Sequence, residues 1–579
     1  MATLDIQAAS MLTIDPRMYV RPTTVGDIHP DQYDTRADDA GANRDIVALA
    51  FADANQSSLL KRMGVLLAVS AAHSNDAARI ARANEMLAAF LGHLPLQRPG
   101  RTLASPGVEM PPGGDGVWLA TVWGMEGMMD MMSALGDRIP AELRADLELS
   151  LRREVRNICA DWADERPWFV RVGAASSNQW IELAAILIKA CLFLKDESLL
   201  PAYELGVESL SASLAKHGSD GAYLEGFSYG AAVLGIMFDV LAEMQFNGDN
   251  RLAAVPFTQE SWKWLLHNVM PGQQLVNCFD SGWSMLPTWG RLAPMPHIGI
   301  VSEASGSDAL SSCAWMFPSG RGDLPGIRYL GALSGVQPTA RMLLPTHAYF
   351  PSQQLVTWRS AWERPTDPQS ALGIWVRGGA LGEDHGHRDQ GQVSVYKGDR
   401  PILIDCGSDY YNPNQETRLA VASGHGIMQV GALSPRYKAM TSQITLRRLD
   451  EQAGSLSVDS TAVYTGVVFC KRNVEWDISG RVNFGDTVAF RDQVPAGTEV
   501  YRFHTGSALP LEISGGGTSW QVAWEGARMS IGADRAIVVE QAEWPDAVLP
   551  GKMHQVITIR SVDALNSMAM TSVLEVSMR

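Results

Sequence analysis

The chain has 579 residues, more than one ordinary core accommodates, so two or more domains are expected. Its composition, 46% hydrophobic and 19% charged, is that of a globular protein and excludes wholesale disorder. A formal net charge of −16 argues against general nucleic-acid or anionic-membrane binding, while leaving room for a locally basic cleft that takes an acidic substrate.

No apolar run is long enough to span a membrane. The N-terminal MATLDIQAASMLTIDP has no basic segment followed by an apolar one, so no signal peptide is evident. The chain is expected either in the cytoplasm or exported by another route. The cysteines, Cys159, Cys191, Cys278, Cys313, Cys406 and Cys470, are scattered with no CxxC spacing. Buried thiols are the expectation, with room for one or two disulfides but not for a zinc ribbon.

Residues 1–45 are polar, with Pro16, Pro22 and Pro30, and read as an arm of extended chain or loops. The arm is placed either over a cleft or at contacts between copies in a homo-oligomer. From Asp45 the periodicity is helical, with helices expected over 76–94, 117–135, 140–164, 178–194, 199–216, 230–244 and 259–269. The series predicts paired antiparallel helices, in a bundle or a toroid. The Gly- and Pro-rich stretch 318–356 reads as a linker. Beyond it short alternating strands dominate, among them 372–376, 392–396, 402–405, 442–447, 455–458, 461–465, 468–474, 487–493, 499–504 and 553–561. Their spacing predicts a β-sandwich. The division is an arm at 1–45, a helical domain at 46–330 and a β domain at 331–579.

The most chemically loaded stretch is 382–407, GEDHGHRDQGQVSVYKGDRPILIDCG. If the segment at His385 and His387 is extended, both imidazoles leave the same face. The strand 401–404 then delivers Asp405, and His425 follows 20 positions later in Ser423-Gly424-His425. His387, Asp405 and His425 form an N,O,N set that suits Zn²⁺. His504 and His554 are lone histidines in strand-like contexts and read as packed or surface residues rather than ligands.

Two places stand out in the helical half. In SSNQW at 176–180, Ser176, Ser177 or Asn178 can cap the helix that follows. Alternatively the amides of Asn178 and Gln179 project into a cleft at a helix N-terminus, where donors and dipole suit a carboxylate. In DGAYLEGFSY at 220–229, two aromatics and two acids sit in a Gly-punctuated loop. They either pack on the core or aim a phenol at substrate.

These motifs, with LVTWRSAW at 355–362 and HGHRDQGQVSVYKGDRPILIDCGSDYY at 385–411, resemble the heparinase II/III-like polysaccharide lyases, a group that includes alginate and oligo-alginate lyases. The motifs occur in the family's order, so the resemblance covers residues 45–579. It implies an α+β multidomain chain, an N-terminal incomplete (α/α) toroid followed by a C-terminal antiparallel β-sandwich. It implies β-elimination on an acidic polysaccharide or oligosaccharide containing uronic acid, with no nucleic-acid or membrane partner. Carried over by motif, Asn178 neutralises the substrate carboxylate with Gln179 beside it. Tyr229 is the catalytic acid, with the role of base open to it as well, and His385 is a second base or a substrate orienter. His387, Asp405 and His425 hold a structural Zn²⁺. Glu225, Arg171, Arg388, Tyr410 and Tyr411 are the candidates for lining the substrate cleft, with Arg359 a further basic candidate. Many relatives carry Asn-His where this chain has Asn178-Gln179, and a glutamine cannot act as a base, so proton removal falls to Tyr229 or His385.

Two competing classes remain open. A glycoside hydrolase would use paired carboxylates, Asp220 and Glu225, as acid and base. A non-catalytic glycan-binding protein would keep the fold and lose the chemistry.

Overall fold

The computed structural model describes residues 2–104, 114–115, 118–276, 278–279, 308–316, 341–363, 371–381, 385–406, 422–429, 440–545 and 553–577. Helices come first: α1 (Ala2–Ser10), α2 (Arg44–Leu59), α3 (Val65–Ser74), α4 (Ala77–Phe90), α5 (Leu119–Leu135) and α6 (Ala141–Ala163). They continue with α7 (Trp168–Arg171), α8 (Asn178–Leu194), α9 (Leu200–Leu214), α10 (Phe227–Phe246), α11 (Pro256–His267) and α12 (Asp308–Met316). Each helix expected from periodicity forms with ends displaced by a few residues. Helix α8 is mostly apolar, and Ile181–Cys191 is wholly buried, including Glu182 and Lys189. An element of that kind must sit inside a helical layer. None of the described helices is long and apolar enough to cross a membrane.

Residues 2–43 are packed rather than extended. Helix α1 precedes a run of 3₁₀ turns, and Tyr19 is fully buried with its hydroxyl on Glu85 at 2.7 Å. Arg21 and Arg98 clamp the buried Asp53 of α2, both at distances of 2.7–2.9 Å. Ion pairs fasten the segment together with a few buried apolar side chains, Ala8, Met11, Tyr19, Ile28 and Ala37.

Strands follow. A two-stranded piece pairs β1 (Val269–Met270) with β2 (Gln274–Leu275). A five-stranded sheet has the order β3 (His347–Phe350), β4 (Leu355–Arg359), β5 (Leu372–Arg377), β7 (Val393–Lys397), β8 (Arg400–Leu403). Between β5 and β7 in the chain lies β6 (Gly379–Leu381), which pairs instead with β9 (Met440–Leu449). The nine-stranded sheet continues from β9 through β10 (Ala453–Asp459), β11 (Val467–Asp477), β12 (Arg481–Val494) and β19 (Leu565–Val576). Beyond β19 it ends with β16 (Ala527–Ala533), β15 (Ser519–Trp524) and β14 (Glu512–Gly516). A three-stranded sheet places β18 (Met553–Ser561) between β13 (Glu499–His504) and β17 (Ile537–Pro545). Every pairing is antiparallel. Val474, Val488 and Leu574 of the large sheet share one core with Ile374 and Val395 of the five-stranded sheet and Ile557 of the three-stranded one. Full burial of each such side chain is favourable by about 1.5–3 kcal/mol.

The segment expected as a linker contributes β3 and β4 at its C-terminal end, and 461–465, expected as a strand, contains a 3₁₀ turn at Thr461–Val463. Buried polar contacts join the helical and β halves. Trp264 donates to Gln353 at 2.9 Å, and Trp375 donates to Asn268 at 3.2 Å. Asp220 accepts from the backbone N–H and hydroxyl of Ser352 at 2.8 and 2.6 Å. Arg359 is one of these joints and not a cleft cation. It is buried, and its guanidinium donates to the carbonyls of His267 and Val269. Burial, only partly offset by the Glu363 carboxylate, brings its guanidinium down to about 9.

Candidate functional site

Ser177 caps α8, its hydroxyl accepting from the Gln179 backbone N–H at 3.3 Å. Asn178 is thereby fixed as the first residue of the helix. Its own N–H donates to Glu225 Oε2 at 3.0 Å, and Tyr223 donates its hydroxyl to the same oxygen at 3.0 Å. Glu225 is 2% exposed. Its carboxylate therefore lies under the helix N-terminus, where the dipole favours it, rather than on a substrate-facing wall. Burial, then the Glu225 charge, raise the Tyr223 phenol well above its ordinary value. Trp168 donates to Gln179 Oε1 at 3.1 Å. An indole N–H can only donate, so the Gln179 amide is oriented with its NH₂ as the remaining donor.

Helix α10 is preceded by its N-cap Gly226, whose φ of +85° few other residues adopt. A β-carbon there would stand 2.5 Å from the Phe279 ring. Tyr229 leaves the first turn of α10, half-buried, and its ring stacks on His385 with centroids 3.7 Å apart and planes 17° from parallel. His385 comes from the β half, so this stack spans the two halves of the chain.

His385 and His387 do not share an extended face. His385 has a φ of +62°, and β7 begins only at Val393. The left-handed turn separates the two imidazoles: His385 meets Tyr229, while His387 is buried against His425 with ring centroids 5.3 Å apart. Such a backbone costs about 1–3 kcal/mol and persists only where the surroundings enforce it. Asp389, four positions on, anchors the same loop by pairing with the buried Arg377 at 2.6 Å. Arg377 in turn covers the Phe279 ring at 3.7 Å, which ties this loop back to the start of α10.

His387, Asp405 and His425 are all buried, and one donor atom from each lies within 4.8 Å of the others. His425 Nδ1 is 3.1 Å from both Asp405 oxygens, and its Nε2 is buried with no hydrogen bond among the described residues. Burial alone would lower the His425 imidazole, but the Asp405 carboxylate outweighs it and the net displacement is upward. A buried carboxylate flanked by two imidazoles, with one ring nitrogen left over, fits a single divalent cation.

Two residues that sequence reasoning passed over hold this group together. Gln392 accepts from the Gly426 N–H at 2.6 Å and donates to the Ile404 carbonyl at 3.0 Å, so it joins the loop of His425 to the strand end of Asp405. Arg472 of β11 donates to the carbonyls of Gly391 and Gly426 at 2.9 and 2.7 Å while paired with buried Asp486. Gln392 lay inside the strongest motif, and a polar residue immediately before a wholly buried strand was its signal. Arg472 left none, because its partners are remote backbone carbonyls.

Arg388 is half-buried and Arg171 is exposed at the end of α7. Tyr410 and Tyr411 lie outside the described residues. His504 and His554, read as lone packed or surface histidines, are buried and converge on Cys406. No disulfide forms among the described cysteines.

No family model and no curated relative matches the sequence. Solved structures do match. A heparinase III aligns with a TM-score of 0.64 at 12% identity, over 90% of this chain and 78% of that one. A second heparinase III aligns with a TM-score of 0.61 at 13% identity, over 93% of this chain and 78% of that one. The heparan sulfate lyase HepC from Pedobacter heparinus aligns with a TM-score of 0.60 at 10% identity, over 100% of this chain and 88% of that one. Identities this low speak for the fold, and in fold the chain is heparinase-like along nearly its whole length.

Proposed function

We propose that this chain is a polysaccharide lyase that cleaves a uronic-acid-containing polymer or oligomer by β-elimination, leaving a 4,5-unsaturated uronate. The observation that carries the reading is the Tyr229–His385 stack, a phenol and an imidazole brought together from opposite halves of a heparinase-like fold. In the finer architecture we read the helices as an incomplete (α/α) toroid and the sheets as a β-sandwich, over 46–330 and 331–579.

The C5 proton of a uronate is weakly acidic while its carboxylate is charged. Donors at the N-terminus of α8, Asn178 and the NH₂ of Gln179, neutralise that carboxylate and stabilise the enolate-like state. Tyr229, as a neutral phenol, protonates the departing O4 oxygen. Since Gln179 cannot take a proton, removal at C5 falls to His385, or to Tyr229 starting as the phenolate and then passing that same proton to O4. Arg171 and Arg388 supply positive charge for acidic groups along the chain. His387, Asp405 and His425 hold Zn²⁺, which when bound supplies a structural clamp on the loop that carries His385.

A hydrolase is disfavoured by what its two carboxylates do. Asp220 accepts from Ser352 at the junction of the halves, and Glu225 is buried under α8. The test is incubation with a panel of uronate polymers while near-ultraviolet absorbance is followed for the unsaturated product. Reducing ends that appear without that absorbance would overturn the lyase reading in favour of hydrolysis.

A further inference from the structure

Immediately beyond Asp405, a second group of ligand-type side chains converges. Cys406 follows β8, His504 closes β13 and His554 is the second residue of β18. The backbone sets this up. Ile404 donates to the His504 carbonyl at 3.0 Å, and His504 pairs with Val556 in the β13–β18 register. All three side chains are buried, at 1%, 1% and 5% exposure.

Three atoms face one another. Cys406 Sγ is 3.1 Å from His504 Nδ1 and 3.8 Å from His554 Nε2, and the two nitrogens are 2.8 Å apart. The tautomer of His504 is settled by its other nitrogen: Nε2 lies 3.0 Å from the Ser423 carbonyl, which can only accept. Nδ1 therefore carries a lone pair. One in-plane lone pair cannot accept from both a thiol and a second imidazole, yet both are within reach. A cation between the three atoms removes the conflict. Bonds of about 2.0–2.1 Å to nitrogen and 2.3 Å to sulfur place tetrahedral ligand atoms about 3.3–3.6 Å apart, a range that the separations here, 2.8, 3.1 and 3.8 Å, bracket.

We propose that Cys406 Sγ, His504 Nδ1 and His554 Nε2 form a second metal site, a structural one that holds Zn²⁺. A thiolate with two imidazoles is the donor set that borderline-soft ions select. Binding releases the thiol proton to solvent. The site braces its neighbour in two ways. It anchors the residue after Asp405, and through the Ser423 carbonyl it fixes the loop two positions before His425. His504 Nε2–H bonded to a backbone carbonyl is the outer contact that orients a metal-bound imidazole.

The test uses the full chain, loaded with Zn²⁺ or Co²⁺. The set His387, Asp405 and His425 contains no sulfur, so a thiolate-to-cobalt charge-transfer band in the near-ultraviolet reports the second site alone. The expected result is that band in the wild-type protein and in His387→Ala, and its loss in His554→Gln together with about one zinc per chain. A cobalt-loaded wild-type protein without the band overturns the proposal, whatever its total metal content. The wild-type spectrum decides the matter even where His554→Gln does not fold, and it is independent of lyase activity.

Discussion

Tyr229 of the helical half and His385 of the β half lie ring on ring, 3.7 Å between centroids. Tyr229→Phe keeps the ring and the stack but removes the hydroxyl that gives its proton to the departing oxygen. We expect kcat to fall by about 10²–10⁴-fold, the span of a general acid or base, with KM and the circular-dichroism spectrum unchanged. His385→Ala removes the partner ring as well, so KM should rise along with the loss in kcat. A Tyr229→Phe enzyme of undiminished rate would exclude the phenol from the chemistry.

Asn178 and Glu225 separate function from support. Asn178→Ala removes a carboxylate donor while leaving the backbone N–H on Glu225, so activity should fall by about 10²–10³-fold with little change in thermal midpoint. Glu225→Ala leaves the Asn178 N–H and the Tyr223 hydroxyl without their shared acceptor. Each orphaned buried group costs about 1–3 kcal/mol, so the main effect should be a lowered midpoint in thermal denaturation.

The first metal group makes its own demand. Zinc content measured on purified protein should drop by about one per chain in His387→Ala. Gln392→Leu retains all three ligands but breaks the bridge between Gly426 and Ile404. It should weaken zinc binding by about 10–100-fold, as loss of an outer-shell contact does. Unchanged zinc in His387→Ala would count against the ligand set.

Glu182 lies one turn beyond Asn178 on α8, 6% exposed. Burial, only partly offset by the Lys61 ammonium, raises its carboxyl from 4.5 to about 7. The fold therefore disfavours the ionised form, and stability is lost as pH rises from the unfolded value through about 7. Glu182→Gln should match wild type near pH 4 and be more stable above pH 8, by on the order of 3 kcal/mol at most. Urea denaturation at the two pH values measures the difference, and an equal gap at both would refute the assignment.

Much of this was written locally. The helices at Asn178–Leu194 and Leu119–Leu135 followed from apolar periodicity and a Ser cap, and β11 and β12 from alternation. The motifs singled out Tyr229 and His385, whose rings the fold stacks, and His387, Asp405 and His425, whose donor atoms it brings within 4.8 Å of one another. Strands such as Glu512–Gly516, exposed and glycine-containing, escaped notice because they carry little alternation. The helix at Ala2–Ser10 escaped because its segment is fastened by Asp5 to Ser70 and Arg79 rather than by a long apolar face.

What the sequence by itself determined is the order of helices before strands and the residue types offered to a cleft, since both rest on interactions between near neighbours in the chain. Only the tertiary structure decided how those residues divide their work. His385 and His387, two apart, part company because one backbone angle turns left-handed in a loop that Arg377 and Asp389 anchor. Cys406, His504 and His554 meet across 98 and 148 positions because strand pairing closes those loops. Nothing in the local physics of any of the three announces the other two.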